Sequence, residues 1–195
     1  MADGHTTSSP STAPLVDRFG RHVTYLRMSV TDRCDLRCTY CMSERMTFMP
    51  KKELLSFEEL EQIADAFIER GVKKIRISGG EPLVRRDILT IFQKLGSKLG
   101  SGLETLSMTT NATLLDKYAA PLADAGLHSV NVSIDSLTPD RFHAITRRGN
   151  LDQVLRGIQA AKQAGLKVKL NTVVLKDQNV DELPDMISWA HDQGF

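Results

Sequence analysis

The chain has 195 residues, 41% hydrophobic and 25% charged, which is the makeup of an ordinary globular domain and excludes a fibrous or wholly disordered chain. Its net charge of +1 excludes a global field that would draw nucleic acid, and no apolar run reaches bilayer-spanning length. No nucleic-acid or membrane partner is therefore expected, and any anionic ligand must be held by local cations.

The first stretch, residues 1–14, is rich in Ser, Thr and Pro and lacks the basic and apolar regions of a secretory signal. It reads as a disordered tail ahead of a single core domain over residues 15–195. Residues 25–30 (YLRMSV) read as a first strand, which runs into a loop holding all three cysteines, Cys34, Cys38 and Cys41. With none left for structural disulfides, the chain suits a reducing cytoplasm.

Three thiolates at C-x3-C-x2-C spacing can hold three corners of a 4Fe-4S (four-iron, four-sulfur) cube and leave the fourth iron open to a small molecule. Arg33 and Arg37 in the same loop would favour thiolates and offset an anionic cluster. A zinc site is the alternative, but zinc wants four ligands and no histidine follows Cys41 at finger spacing. Three inert buried thiols fit poorly in so polar a loop.

After the loop, Ser56 and Glu59 form a capping-box pattern, and Leu60, Ile63, Ala64, Phe67 and Ile68 recur at helical spacing until Gly71. A strand at 72–77 (VKKIRI) leads into Ser78-Gly79-Gly80-Glu81-Pro82. The alternation continues with a helix near 87–95, a strand near 104–109, a helix near 114–125 and a strand at 129–134. A helix near 152–164, a strand at 167–174 and a helix carrying Leu183, Met186, Ile187 and Ala190 complete the pattern.

Strands alternating with helices predict parallel strands joined by right-handed crossovers. Five strand–helix units are visible, and a sixth strand would begin beyond Phe195. The expected fold is an α/β, TIM-like barrel left incomplete, with a flat doubly wound sheet as the alternative. In either case ligands bind beyond the carboxyl ends of the strands. There the topology gathers the cysteine loop, the Gly79-Gly80-Glu81-Pro82 segment, Thr109-Thr110-Asn111, Ser133 with Asp135, and Asn171. The glycine pair permits close backbone approach and positive φ. His128, His143 and Asp135 are expected in surface or capping roles.

The C-x3-C-x-aromatic-C pattern of Cys34, Cys38, Tyr40 and Cys41, one unit before a Gly-Gly-Glu-Pro turn, resembles the hallmark of the radical S-adenosylmethionine (SAM) superfamily. The further segments 17–20 (DRFG), 25–34 (YLRMSVTDRC), 74–82 (KIRISGGEP), 108–111 (MTTN), 131–137 (NVSIDSL) and 141–145 (RFHAI) resemble the GTP 3′,8-cyclase family of molybdenum cofactor biosynthesis. The likeness spans nearly everything after the tail. It implies an incomplete (β/α)6 radical SAM barrel with the sixth strand missing.

The resemblance also implies chemistry. Cys34, Cys38 and Cys41 would hold the cluster, with no further catalytic residue beyond cluster and SAM. Tyr40, Gly79, Gly80, Glu81 and Ser133 would bind SAM, and Arg27, Lys74, Arg76, Thr109 and Lys169 would bind GTP. Reductive cleavage of SAM would give a 5′-deoxyadenosyl radical, which takes the ribose 3′ hydrogen of GTP so that the sugar carbon joins C8 of guanine. Partners would be GTP, SAM and an electron donor, with a homodimer left open. A second 4Fe-4S cluster belongs to the C-terminal part of full-length family members, for which this chain has no cysteines, so activity of this chain alone is left open. Ala112 stands where the family usually has Gly. Another radical SAM enzyme that modifies a peptide or metabolite, and a non-catalytic zinc-binding fragment, are the competing readings.

Overall fold

The computed structural model describes residues 13–195. The expected tail therefore lies almost wholly outside the described residues. Five strands form one parallel sheet in the order β1-β2-β3-β4-β5: β1 Tyr25–Ser29, β2 Lys74–Ser78, β3 Thr105–Thr110, β4 Ser129–Ser133 and β5 Lys167–Asn171. Strand order follows chain order without a reversal. A doubly wound sheet would reverse direction at a switch point, so the winding is that of a barrel wall and the sheet is open.

The two faces of this wall differ because side chains alternate along a strand. One face carries Met28, Ile75, Ile77, Leu106, Met108, Val130, Val132 and Val168, all buried in the hydrophobic core. The other carries Arg27, Arg76, Thr109, Asn131 and Lys169, a polar surface. Each Leu or Ile withdrawn from water on the first face contributes about 1.5–3 kcal/mol.

The described residues form six α-helices: α1 Phe57–Glu69, α2 Leu89–Gly96, α3 Leu115–Asp124, α4 Pro139–Thr146, α5 Leu151–Gln163 and α6 Leu183–Gln193. The expected capping box opens α1. Ser56 accepts from the Glu59 backbone N–H, and the Glu59 carboxylate accepts from the Ser56 N–H. Helix α4 has no counterpart in the predicted elements, so the fourth unit carries two helices. Its eight residues bury only Phe142, Ile145 and Thr146, too short a stripe for periodicity to reveal. Its one legible signal is Pro139 just inside the start.

Candidate metal and cofactor site

The cysteine loop leaves β1 and is bound on two sides. On one side it pairs with the turn after β2: the Gly80 N–H donates to the Thr31 carbonyl at 2.7 Å, and the Glu81 N–H to the Arg33 carbonyl at 2.8 Å. A Cβ on Gly80 would lie 2.3 Å from the Arg33 carbonyl oxygen, and one on Gly79, where φ is +151°, would lie 2.4 Å from that of Thr31. The close approach that demands glycine is thus to the chain's own backbone. On the other side the loop rests on the end of α4, where the Arg37 and Thr39 N–H groups donate to the Thr146 and Ile145 carbonyls at 3.0 and 2.9 Å. Helix α4 is therefore a support of the site that periodicity missed.

Within the loop the Arg37 guanidinium donates to the carbonyls of Cys34 and Leu36 at 2.6 and 2.7 Å. Arg33 and Arg37 also flank the Phe48 ring, at 5.6 and 5.1 Å from its centroid. These arginines brace the backbone and do not lower the thiol pKa values as expected from sequence. Burial wins instead, pushing the Cys34 thiol up to about 12 and the Cys38 thiol up to about 11. Cys41 is exposed.

Glu81 is 0% exposed. Its carboxyl accepts from the Leu83 N–H at 3.1 Å, the Thr110 hydroxyl at 2.8 Å and the Asn111 N–H at 2.6 Å. Burial pushes it up to about 7 in spite of these three donors. It ties the turn after β2 to the end of β3. Asp35 is held through the same segment, its carboxylate accepting from the Asn111 amide at 2.7 Å and the Thr113 hydroxyl at 2.6 Å.

Tyr40, between Cys38 and Cys41, donates its hydroxyl to Asp135 at 2.7 Å. Asp135 was expected in a surface or capping role, but it is 3% exposed and also accepts from the Val173 N–H at 2.9 Å. Its burial follows from a second buried residue, Asn179, whose amide donates to the Asp135 and Val173 carbonyls at 2.7 and 2.9 Å. The Tyr40–Asp135 link fastens the cysteine loop to the ends of β4 and β5. His143 has the surface role expected, exposed on α4 with its Nδ1 3.1 Å from the Gly149 carbonyl. Asp35 and Asn179 are the site residues that motif matching passed over, while Asn111 lay inside the matched segment 108–111 without an assigned role. The topological rule had already put Asn111 at the mouth.

The phosphate-binding candidates are all on the polar sheet face. Arg27 pairs in register with Arg76, Lys74 with Tyr25, and both Thr109 and Lys169 flank Asn131. Lys74 and Arg76 each lie 5.5 Å from the Tyr25 ring centroid. Among the described residues none of Arg27, Lys74, Arg76 or Lys169 makes an ion pair. Two buried atoms of this face, Arg76 Nε and Asn131 Oδ1, have no hydrogen-bond partner, and Asn131 is 7% exposed. Ser133 ends β4 at the mouth, in register with Asn171.

The donor set fits an iron–sulfur cube better than a single ion. Among the described residues no three His, Cys, Asp or Glu side chains converge on a single-ion site. A cube needs no such convergence, since each thiolate binds its own iron. Half-buried Cys34 and Cys38 lie beside exposed Cys41 at the open end of a β/α wall, so the class of protein is a β/α barrel-type domain with a three-cysteine loop at its mouth.

Comparison with known proteins gives the family. The Radical SAM superfamily model matches residues 28–190, and the chain belongs to that superfamily. Over 191 residues it is 56% identical to the GTP 3′,8-cyclase of Rhizobium etli, covering 96% of this chain and 55% of that protein. It is 58% identical over 182 residues to the GTP 3′,8-cyclase of Mesorhizobium japonicum, covering 93% of this chain and 55% of the relative. The chain thus spans about half the length of these curated relatives. Among solved structures, Streptococcus suis SuiB bound to its precursor peptide SuiA superposes with a TM-score of 0.72 at 19% identity, covering 93% of this chain and 37% of SuiB. Native anSMEcpe with bound AdoMet superposes with a TM-score of 0.68 at 19% identity, covering 88% and 49%. Both likenesses establish the fold. No helix among the described residues is long and apolar enough to cross a membrane.

Proposed function

We propose that this chain is the cluster- and SAM-binding part of a cytoplasmic GTP 3′,8-cyclase acting in molybdenum cofactor biosynthesis. Cys34, Cys38 and Cys41 hold a 4Fe-4S cluster, which when bound supplies the electron that cleaves SAM. Tyr40, fixed by Asp135, lines the mouth with Ser133, and Gly79 and Gly80 present backbone to the same space. Glu81 serves this site by holding the glycine turn, since its carboxyl is occupied by three protein donors.

The observation that carries the reading is the polar face below the cysteine loop. Arg27, Lys74, Arg76 and Lys169 without ion-pair partners suit a polyphosphate, because guanidinium forks and ammonium groups are its usual ligands. The orphaned Arg76 Nε and Asn131 Oδ1 would gain partners from a bound nucleotide. Arg27 and Arg76 stand two residues below Ser29 and Ser78, about 7 Å further from the mouth. Phosphates held there leave the ribose between them and the cluster, where a hydrogen can be taken from it. The reaction also requires an electron donor.

The test is anaerobic reconstitution with iron and sulfide, metal analysis, and titration with GTP of the protein extended to the length of its relatives. Iron and sulfide uptake, SAM-dependent formation of 5′-deoxyadenosine and GTP binding are expected. Stoichiometric zinc without iron removes the enzyme reading. A cluster with SAM cleavage but no GTP binding moves the chain to another radical SAM activity.

A further inference from the structure

We propose that Asn111 donates an N–H···S hydrogen bond to the sulfur of Cys34 and thereby sets the electron affinity of the centre that the cysteine loop holds. This rests on the reading of Cys34, Cys38 and Cys41 as cluster ligands. The geometry leaves the side-chain amide one orientation. One end accepts from the Thr113 backbone N–H at 3.0 Å, and a backbone N–H only donates, so that end is the carbonyl oxygen. The Thr113 hydroxyl reaches the same oxygen at 2.8 Å. The other end lies 2.7 Å from the Asp35 carboxylate, an acceptor, so it is the amino group.

An amino group has two hydrogens in fixed planar directions. One goes to Asp35, and the nitrogen lies 3.7 Å from Cys34 Sγ, within reach for a sulfur acceptor. The amide cannot swing away. Asn111 is 8% exposed, and its backbone N–H is fastened to the buried Glu81 carboxyl at 2.6 Å. Hydrogen bonds to cluster sulfurs stabilise the more negative, reduced form, which raises the reduction potential. The neighbouring Asp35 carboxylate acts in the opposite sense, and Asn111 shares with Thr113 the task of holding it. Asn111 is thus a positioning and tuning residue. It touches a ligand sulfur and needs no contact with substrate.

The experiment is an electron paramagnetic resonance (EPR)-monitored redox titration of the reconstituted protein, compared with Asn111→Ala and Thr113→Val. Thr113→Val loosens the same network, including Asp35, but leaves the amide donor in place. Asn111→Ala is expected to shift the potential to more negative values, and Thr113→Val to stay near the wild type. An unchanged potential in Asn111→Ala with its cluster intact overturns the inference, as does an equal shift in Thr113→Val. Should Asn111→Ala fail to retain the cluster, the wild-type protein decides. With asparagine side-chain amides labelled with nitrogen-15, a hyperfine coupling to the reduced cluster is expected in pulsed EPR, and its absence overturns the proposal. A wild-type protein that takes up no iron and sulfide at all defeats the cluster reading instead.

Discussion

The mouth of the sheet and its polar face are both built from hydrophilic residues, yet they differ in how their charged groups are partnered. At the mouth, the inner carboxylates are spent on neighbouring donors, Glu81 on Thr110 and Asn111, Asp35 on Asn111 and Thr113, and Asp135 on Tyr40, while Asp32 Oδ1, Arg33 Nε and Arg37 Nε in the cysteine loop are buried without a partner. On the face, four cations have no carboxylate partner among the described residues, and two buried polar atoms are unsatisfied. A frame of carboxylates bonded to neighbouring side chains fixes geometry, which a resident cofactor needs. An unsatisfied surface stores binding capacity, which an exchanging anionic ligand needs.

The sharpest way to break this contrast is at the thiols. Replacing Cys34, Cys38 or Cys41 by Ala is expected to abolish stoichiometric iron and sulfide, measured by metal analysis after reconstitution. Next is the face. A charge-assisted hydrogen bond contributes about 1.5–3 kcal/mol, so Arg27→Ala with Arg76→Ala should weaken GTP binding by about 100-fold or more in calorimetry while leaving iron content intact. If the double variant loses iron as well, the two regions are not separate.

The frame has its own tests. Gly80→Ala would press a Cβ to 2.3 Å from the Arg33 carbonyl, and about 3 kcal/mol of stability should be lost in chemical denaturation. Glu81 makes stability depend on pH. Its carboxyl rises from the ordinary 4.5 to about 7 on folding, because burial disfavours the charge. The folded protein therefore binds the proton more tightly than the unfolded chain. The stabilisation is full below about pH 4.5 and is lost as pH rises to about 7, by up to about 3 kcal/mol. Glu81→Gln should flatten that part of the profile in denaturation measured between pH 5 and 8. The smallest effect is at Ala112, buried in the left-handed region at φ 63°. Ala112→Gly relieves that strain and should stabilise the protein by about 1 kcal/mol in the same measurement.

Much of this was legible in the chain. The alternation of Arg27 and Arg76 with Leu26, Met28, Ile75 and Ile77 already put the cations on one face, because side chains in a strand alternate. Ser56 and Glu59 announced α1 through local hydrogen bonds. Asp135 and Asn179 were not legible, because their partners are distant in sequence: Tyr40 is 95 residues from Asp135, and Asp135 is 44 residues from Asn179. Nor was the use of Arg33 and Arg37, whose charge suggested an effect on thiols while their geometry serves carbonyls and the Phe48 ring.

By itself the sequence determined what depends on neighbours in the chain: the cysteine spacing, the strand–helix rhythm, the helix cap and the sidedness of each strand. Only the tertiary structure decided where Glu81 points, which backbone demands Gly79 and Gly80, and which hydrogen of Asn111 is left for Cys34. Those outcomes depend on segments brought together from different strands. In a buried setting each polar atom takes the partner that folding delivers, and no local pattern of residues specifies that partner.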